Sequence, residues 1–155
     1  IKMKKILLLS ILFIASIASI NAQTRWTWDQ YGLSFEAPSS MKVTENDEIK
    51  FSAEMDGMAV SMEVMDYEGL TPETMGGALG EAAASMGMSE NSDIGPLALT
   101  SLAGVYIDGM VDGTRMTMAI LFDTESNIAV IVSIAYTDDM VQVSTDVVNS
   151  FEMTN

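Results

Sequence analysis

The residues able to do chemistry in this chain are mostly acids and thioethers. It holds 22 Asp and Glu, 14 Met, no Cys and no His. Without His or Cys, Ser-His-Asp and Cys-His catalysis are excluded, as are His-ligated zinc and iron sites. A Ser–Lys dyad would have to use Lys42 or Lys50, and both read as exposed surface residues. Asp138-Asp139 could act as an acid–base pair. They directly follow Thr137 at the start of a helical pattern, where carboxylates answer the positive end of the helix dipole. Asp108, Asp112 and Asp123 stand near hairpin ends and could collect Ca²⁺, but the Asp-x-Asp-x-Asp-Gly loop that would make this specific is missing. Gly76-Gly77-Ala78-Leu79-Gly80 lacks the Lys-Ser/Thr ending of a phosphate loop and lies inside a helical pattern rather than before one.

Methionine is the other candidate, because soft thioethers can hold Cu(I). Met55, Met58 and Met62, and Met116 with Met118, form clusters, yet each sits on the apolar side of a strand pattern, where Met is an adaptable core filler. Met65 and Met110 point the other way, and Met86 with Met88 ends a helix. These four are the copper candidates. Arg115 reads as one half of a surface ion pair near Asp108 and Glu125. No catalytic residue and no cofactor is assigned, and a metal site is left open.

The elements that must position these residues centre on Gly104 to Tyr136, which reads as three antiparallel strands. Asp112-Gly113 is a two-residue hairpin turn of the kind that needs positive φ. Pairing across it sets Val105, Ile107, Gly109 and Val111 on one face with Thr114, Met116, Met118 and Ile120. A polar turn, Asp123 to Asn127, is expected to bring Ile128, Val130, Val132, Ile134 and Tyr136 onto that same face. The other face carries Ala119, Leu121, Ala129, Ile131, Ser133 and Ala135, too apolar for open water, so both faces are expected to be covered.

Thr24–Trp28 and Leu33–Ala37 read as earlier strands, the second stopped by Pro38. Ser39–Glu48 is expected to be a polar connection from which Met41 and Val43 dip into the core. Ile49–Tyr67 is a hairpin around Asp56-Gly57. Phe51, Ala53, Met55, Met58, Val60, Met62 and Val64 share its apolar face, and Lys50, Ser52, Glu54, Ala59, Ser61 and Glu63 share a wet one, which places it towards one end of the sheet. Thr71-Pro72-Glu73 opens a helix with Met75, Leu79, Ala82, Ala83 and Met86 as its stripe and Gly87 as its stop. Its glycines are expected to let it approach the Ala-rich face of the meander. Ser89–Pro96 reads as a loop, Leu97–Ala103 as a short strand, and Asp138 to about Asn149 as a helix with Met140, Val143 and Val147 inward.

Lys4 and Lys5 ahead of the apolar run Ile6–Ile20, with Ala22 after it, predict a signal peptide over residues 1–22 and one domain over residues 23–155. Cleavage after Ala22 removes Lys2, Lys4 and Lys5 and no acid, which moves the net charge from −15 to −18. Such a surface repels nucleic acid and anionic lipid heads, so no nucleic-acid partner and no membrane insertion after cleavage are expected.

The run Tyr31-Gly32-Leu33-Ser34-Phe35-Glu36-Ala37-Pro38-Ser39-Ser40-Met41-Lys42-Val43 resembles the opening of PsbP-like domains. That superfamily includes the nuclear Ran-release factor and many exported bacterial proteins. Met41 stands where the family often has Trp. Leu102-Ala103-Gly104 entering the meander and Asn149-Ser150-Phe151 closing the last helix extend the resemblance over most of residues 24–153. It implies an antiparallel sheet between helices, and members mostly act as binding or assembly modules.

The expectation is therefore an α+β fold: an antiparallel sheet of about six or seven strands flanked by helices, a three-layer α/β/α sandwich. The expected role is an exported non-catalytic binding or assembly module, periplasmic or extracellular, for an unknown protein or small ligand of the cell envelope. The alternative is an envelope metal-handling protein that binds Ca²⁺ through Asp or Cu(I) through Met.

Overall fold

Alternating apolar residues separated by Asp-Gly turns build two antiparallel sheets in the computed structural model, which describes residues 22–66 and 68–154. The expected signal peptide lies outside the described residues apart from Ala22, and so does Tyr67. The large sheet has seven strands in the order β3-β4-β5-β9-β8-β7-β6. These are β3 (Lys42–Asn46), β4 (Lys50–Met55), β5 (Met58–Met65), β6 (Gly95–Ala98), β7 (Ala103–Val111), β8 (Thr114–Asp123) and β9 (Ile128–Tyr136). The small sheet has three strands in the order β1-β2-β10: β1 (Gln23–Trp28), β2 (Leu33–Pro38) and β10 (Glu152–Met153). Two α-helices complete the fold, α1 (Met75–Ser85) and α2 (Val141–Val148), the second entered through a 3₁₀ turn at Asp138–Met140.

The meander forms as its turns dictate. Asp112 (φ 49°) and Gly113 (φ 77°) are both left-handed, as a type I′ hairpin requires. Val105 pairs with Ile120 and Ile107 with Met118. The third strand departs from expectation by one residue. Asp123 stays in β8 and pairs with Ile128, so the turn holds Thr124–Asn127 only. The Asp123 carboxylate accepts the Glu125 amide at 3.2 Å and the Ser126 hydroxyl at 2.5 Å, and Asn127 turns the chain at φ 57°. A one-residue change of register exchanges the faces of a strand. Met118, Ile120 and Phe122 therefore share a face with Ser133, Ile131 and Ala129, while Val130, Val132 and Ile134 join Ala119 and Leu121 on the other.

Each face has its own core. On one, α1 seats Met75, Leu79 and Ala83 on Ile107, Met118, Ile120, Phe122 and Ala129. On the other, the small sheet and α2 bring Trp28, Leu33, Phe35, Val147 and Phe151 against Phe51, Val60, Met62, Leu121, Val132 and Ile134. The rings of Phe35 and Phe151 lie 5.2 Å apart and those of Phe35 and Phe51 6.0 Å apart, joining the two sheets. The three layers are thus helix, large sheet, and a third layer of small sheet with α2. Strands β1 and β2 belong to that third layer because β10 pairs with β2, Glu152 against Ser34.

Other expectations meet local corrections. Lys42–Asn46 is an edge strand rather than a connection, and its exposed residues include Val43, which stays out of the core while Met41 enters it. Regular α1 begins at Met75, after Thr71 and Thr74 exchange hydrogen bonds at 2.8 and 3.3 Å. Met86 lies beyond the last turn and is exposed. The helix glycines do not face the sheet: Gly76 and Gly80 lie beside the Ile94 side chain, and Gly77 meets nothing. The 89–92 segment is bonded to the β7 edge through Ser89–Met110 and Ser92–Asp108 backbone pairs. Met88 lies across β7 there. A Cβ on Gly109 would stand 2.6 Å from its Cγ, so glycine is what the close approach needs.

Phe151 is 1 % exposed and joins the chain terminus to both sheets. Phe151→Ala is expected to lower the unfolding free energy by about 3–5 kcal/mol, read as a fall in the urea midpoint at constant slope.

Candidate functional site

The α1 side of the large sheet is only partly covered. Helix α1 packs on β7 and β8, while β9, β5 and β4 continue past its edge. On this face β9 presents Ile131, Ser133 and Ala135, paired with Glu63, Ser61 and Ala59 of β5. These are small side chains apart from Ile131 and Glu63, so the floor is low. Ala82, Ser85 and Met86 at the end of α1 form one wall, with Met116 and Met118 of β8 beneath it. Together they bound a groove of about 470 Å³, a volume typical of binding pockets. Its lining is mostly apolar, with Met86, Met116 and Met118 among its residues.

The far margin is charged. Lys50 lies 3.3 Å from Glu45 and 3.9 Å from Glu63. Glu54, next along on β4, is exposed and makes no ion pair among the described residues. A second, narrower cleft of about 290 Å³ opens on the opposite face between β6, β7, β8 and α2, with Asp108, Thr117 and Tyr106 in its lining.

The acids singled out in the sequence do not converge. Asp112 and Asp123 occupy opposite ends of the β7–β8 hairpin, and no group of three or more Asp or Glu could hold a metal ion among the described residues. Asp123 is committed to its turn. Asp139 accepts the Thr137 hydroxyl at 2.5 Å, and Asp138 accepts Arg115 Nε at 2.6 Å. Arg115 thus meets Asp138, not Asp108 or Glu125, because the β8–β9 pairing sets it opposite Tyr136. The Asp138 carboxylate, by hydrogen bond first and charge second, holds the Arg115 guanidinium above its ordinary value. Lys50 is engaged by acids and Lys42 is exposed, so neither is set up to activate a serine.

The methionines sort as the strand pattern predicts in part. Met58, Met62 and Met118 are core residues, and Met88 is buried too. Met86 and Met116 instead border the groove. Sequence reasoning missed this groove, because Met116, Ser133 and Ala135 share a face only in the observed register. Neither tryptophan lines this groove: Trp28 is fully buried and Trp26 packs against the core.

No family model matches the chain, and no curated protein matches it by sequence. Solved structures do match its fold. The Ran-binding protein Mog1p of Saccharomyces cerevisiae superposes with a TM-score of 0.58 at 8% identity, over 85% of this chain and 95% of that one. The cyanobacterial PsbP of Synechocystis sp. PCC 6803 does so with a TM-score of 0.58 at 9% identity, over 87% of this chain and 94% of that one. The chain has the α+β fold that these two proteins share, the PsbP-like fold.

One acid has a structural role that pH can test. Asp47 Oδ1 accepts the amides of Ile49 and Lys50 at 2.8 and 2.9 Å, while the Asp47 carbonyl accepts Trp28 Nε1 at 2.7 Å. The two amide bonds hold the Asp47 carboxyl below its ordinary value. A depressed carboxyl stabilises the fold above its unfolded value and stops doing so as pH falls through the folded one. Asp47→Ala is therefore expected to be less stable than the parent at neutral pH, with the gap closing under acid. Carbon NMR titration of Asp47 alongside urea unfolding at each pH checks both halves.

Proposed function

We propose that this protein is an exported, non-catalytic binding or assembly module, a signal peptide over residues 1–22 followed by a single domain over residues 23–155. Its working surface is the groove beside α1, and its partner is a protein segment with apolar side chains and lysine or arginine flanks. The observation that carries this reading is the half-covered sheet face. A sheet of this length with a helix mainly over β7 and β8 leaves a small-residue floor on β9 and β5 that a partner strand or helix can fill.

The chemistry of the groove supports a protein partner. Methionine is flexible and polarisable, and it recurs on surfaces that adapt to several partners. The chain's net charge of −15 favours a cationic flank and speeds its encounter. Mog1p, which has this fold, is described as binding Ran, a protein. The non-catalytic reading is supported by the absence of His and Cys from the sequence and by the dispersal of its acids. Among the described residues no helix is long and apolar enough to cross a membrane.

The metal-handling alternative keeps one specific observation in its favour. Met86, Met116 and the largely buried Met118 are all among the residues of one groove, and thioether sulfur suits Cu(I). Competition with a colorimetric Cu(I) chelator separates the readings: retention of one equivalent, lost in Met86→Leu/Met116→Leu, would favour metal.

For the binding reading, Ala59→Trp fills the groove from an exposed position on β5. A fluorescein-labelled 12-residue peptide of alternating leucine and lysine is expected to bind the parent saturably and the variant at least tenfold more weakly. Its leucine–glutamate counterpart is expected not to bind. Equal binding to both proteins would place the working surface elsewhere.

A further inference from the structure

The narrow cleft on the α2 side holds a carboxylate that nothing in the described fold neutralises. Asp108 of β7 stands opposite Thr117 of β8, whose hydroxyl donates to Asp108 Oδ1. Thr117 is 4 % exposed and lies 3.3 Å from the Tyr136 hydroxyl, itself on a residue 8 % exposed. A hydroxyl has one proton to give. Thr117 Oγ1 is the donor towards both the Asp108 carboxylate and the Tyr136 hydroxyl oxygen, and the shorter contact is the one to Asp108. The Thr117 hydroxyl thus anchors one Asp108 carboxylate oxygen and fixes how the group faces the cleft.

We propose that this cleft binds a small organic cation, a primary ammonium or guanidinium carried on a short apolar body. The proposal is independent of the groove on the other face. Its first support is the charge inventory. Among the described residues, Arg25 pairs with Glu36 and Glu152, Lys50 with Glu45 and Glu63, and Arg115 with Asp138. The remaining cation, Lys42, sits on β3, five strands from β7 in the sheet order and so about 24 Å away at the usual strand spacing. Arg115, two residues from Thr117 on the same face of β8, is turned to Asp138 at 2.6 Å, so no described side chain pairs with Asp108.

The lining is the second support. Tyr106 forms a wall, its ring held over Gly95, where a Cβ would lie 3.1 Å from Cε1. An aromatic face beside a carboxylate suits a cation on both counts. Leu97 and Val148 are buried and give the apolar body a surface to lie on. Asn149 spends its amide nitrogen on the Thr145 carbonyl at 2.9 Å, leaving its amide oxygen as a further acceptor at the mouth. The polar groups thus offer mainly acceptors, which selects a donor-rich ligand. A volume of about 290 Å³ has room for one small molecule.

Phenethylamine is the probe, with 2-phenylethanol and 3-phenylpropionate as its neutral and anionic counterparts, followed by amide chemical shifts of the full domain. Phenethylamine is expected to shift signals of β7, β8 and α2 saturably, while the other two shift none of them. Asp108→Asn keeps the size of the side chain and the Thr117 contact but removes the charge, and it is expected to weaken binding at least tenfold. Thr145→Trp closes the mouth from an exposed position and is expected to do the same with the rest of the spectrum unchanged. Ala59→Trp, on the opposite face, is expected to leave phenethylamine binding intact, which separates this site from the groove. Equal binding of 2-phenylethanol, full affinity in Asp108→Asn with the fold intact, or unsaturable shifts spread over many acidic residues would each overturn the proposal.

Discussion

The structure depends on the register between β8 and β9, and that register is set by a four-residue turn. With Asp123 and Ile128 paired, the sum of sequence positions across the ladder is odd, so even residues of β8 share a face with odd residues of β9. Every consequence on the two faces follows. Val130, Val132 and Ile134 go to the side that the small sheet seals, where each is at most 2 % exposed. Ala129, Ile131, Ser133 and Ala135 go to the side of α1. Had the turn held five residues, the large β-branched side chains would lie next to α1 and the small ones beneath Phe35 and Phe151. There would be no low floor and no groove. Asp123 enforces the choice, because its carboxylate is already engaged by Glu125 and Ser126 within the turn.

The two faces differ because their covers differ in width. The small sheet, α2 and Phe151 form a broad apolar cover, tied by Arg25 to Glu36 and Glu152 and by the aromatic contacts around Phe35. Helix α1 spans eleven residues and packs mainly on β7 and β8. What remains on that side must either be polar enough for water or be met by another molecule. Glu54, Glu63 and Lys50 answer in the first way on β4 and β5, while Met116, Ile131 and Ala135 leave an apolar groove beside α1. Acidic residues elsewhere are mostly spent on local geometry. Asp47 closes the β3–β4 hairpin beneath Trp28, and Asp138 and Asp139 organise the entry to α2. Such uses are consistent with a chain so rich in carboxylates gathering none of them into a group that could hold a metal ion among its described residues.

The likeness to Mog1p and to cyanobacterial PsbP at 8% and 9% identity shows how little of this fold is written in particular residues. What these chains share is the fold. Here the pattern of faces was legible wherever alternation was regular: both Asp-Gly hairpins, the buried side of β5, the inward stripe of α1 at Met75, Leu79 and Ala83, and the terminal helix with Phe151. It failed where an element carried few apolar residues. Strand β3 is exposed along its whole length and forms because β4 offers a free edge, which no local property of Lys42–Asn46 signals. The glycines of α1 pointed to close packing on the sheet, but helix rotation is set by Met75 and Leu79, and the glycines ended beside Ile94.

The sequence by itself determined the strand and helix repertoire, the two-sided burial of the meander and the exclusion of His- and Cys-dependent chemistry. Those depend on residue type and on periods of two and 3.6 along the chain. Only the tertiary structure decided which residues meet across those elements. A single residue of slack in one turn redistributes a strand between two faces, and a cleft such as that of Asp108, Tyr106 and Asn149 is assembled from strands and a helix end far apart in sequence. Periodicity fixes what each side chain turns towards within its own element. It carries no information on which neighbour waits there, because pairing and packing are settled by the competition of all faces for burial at once.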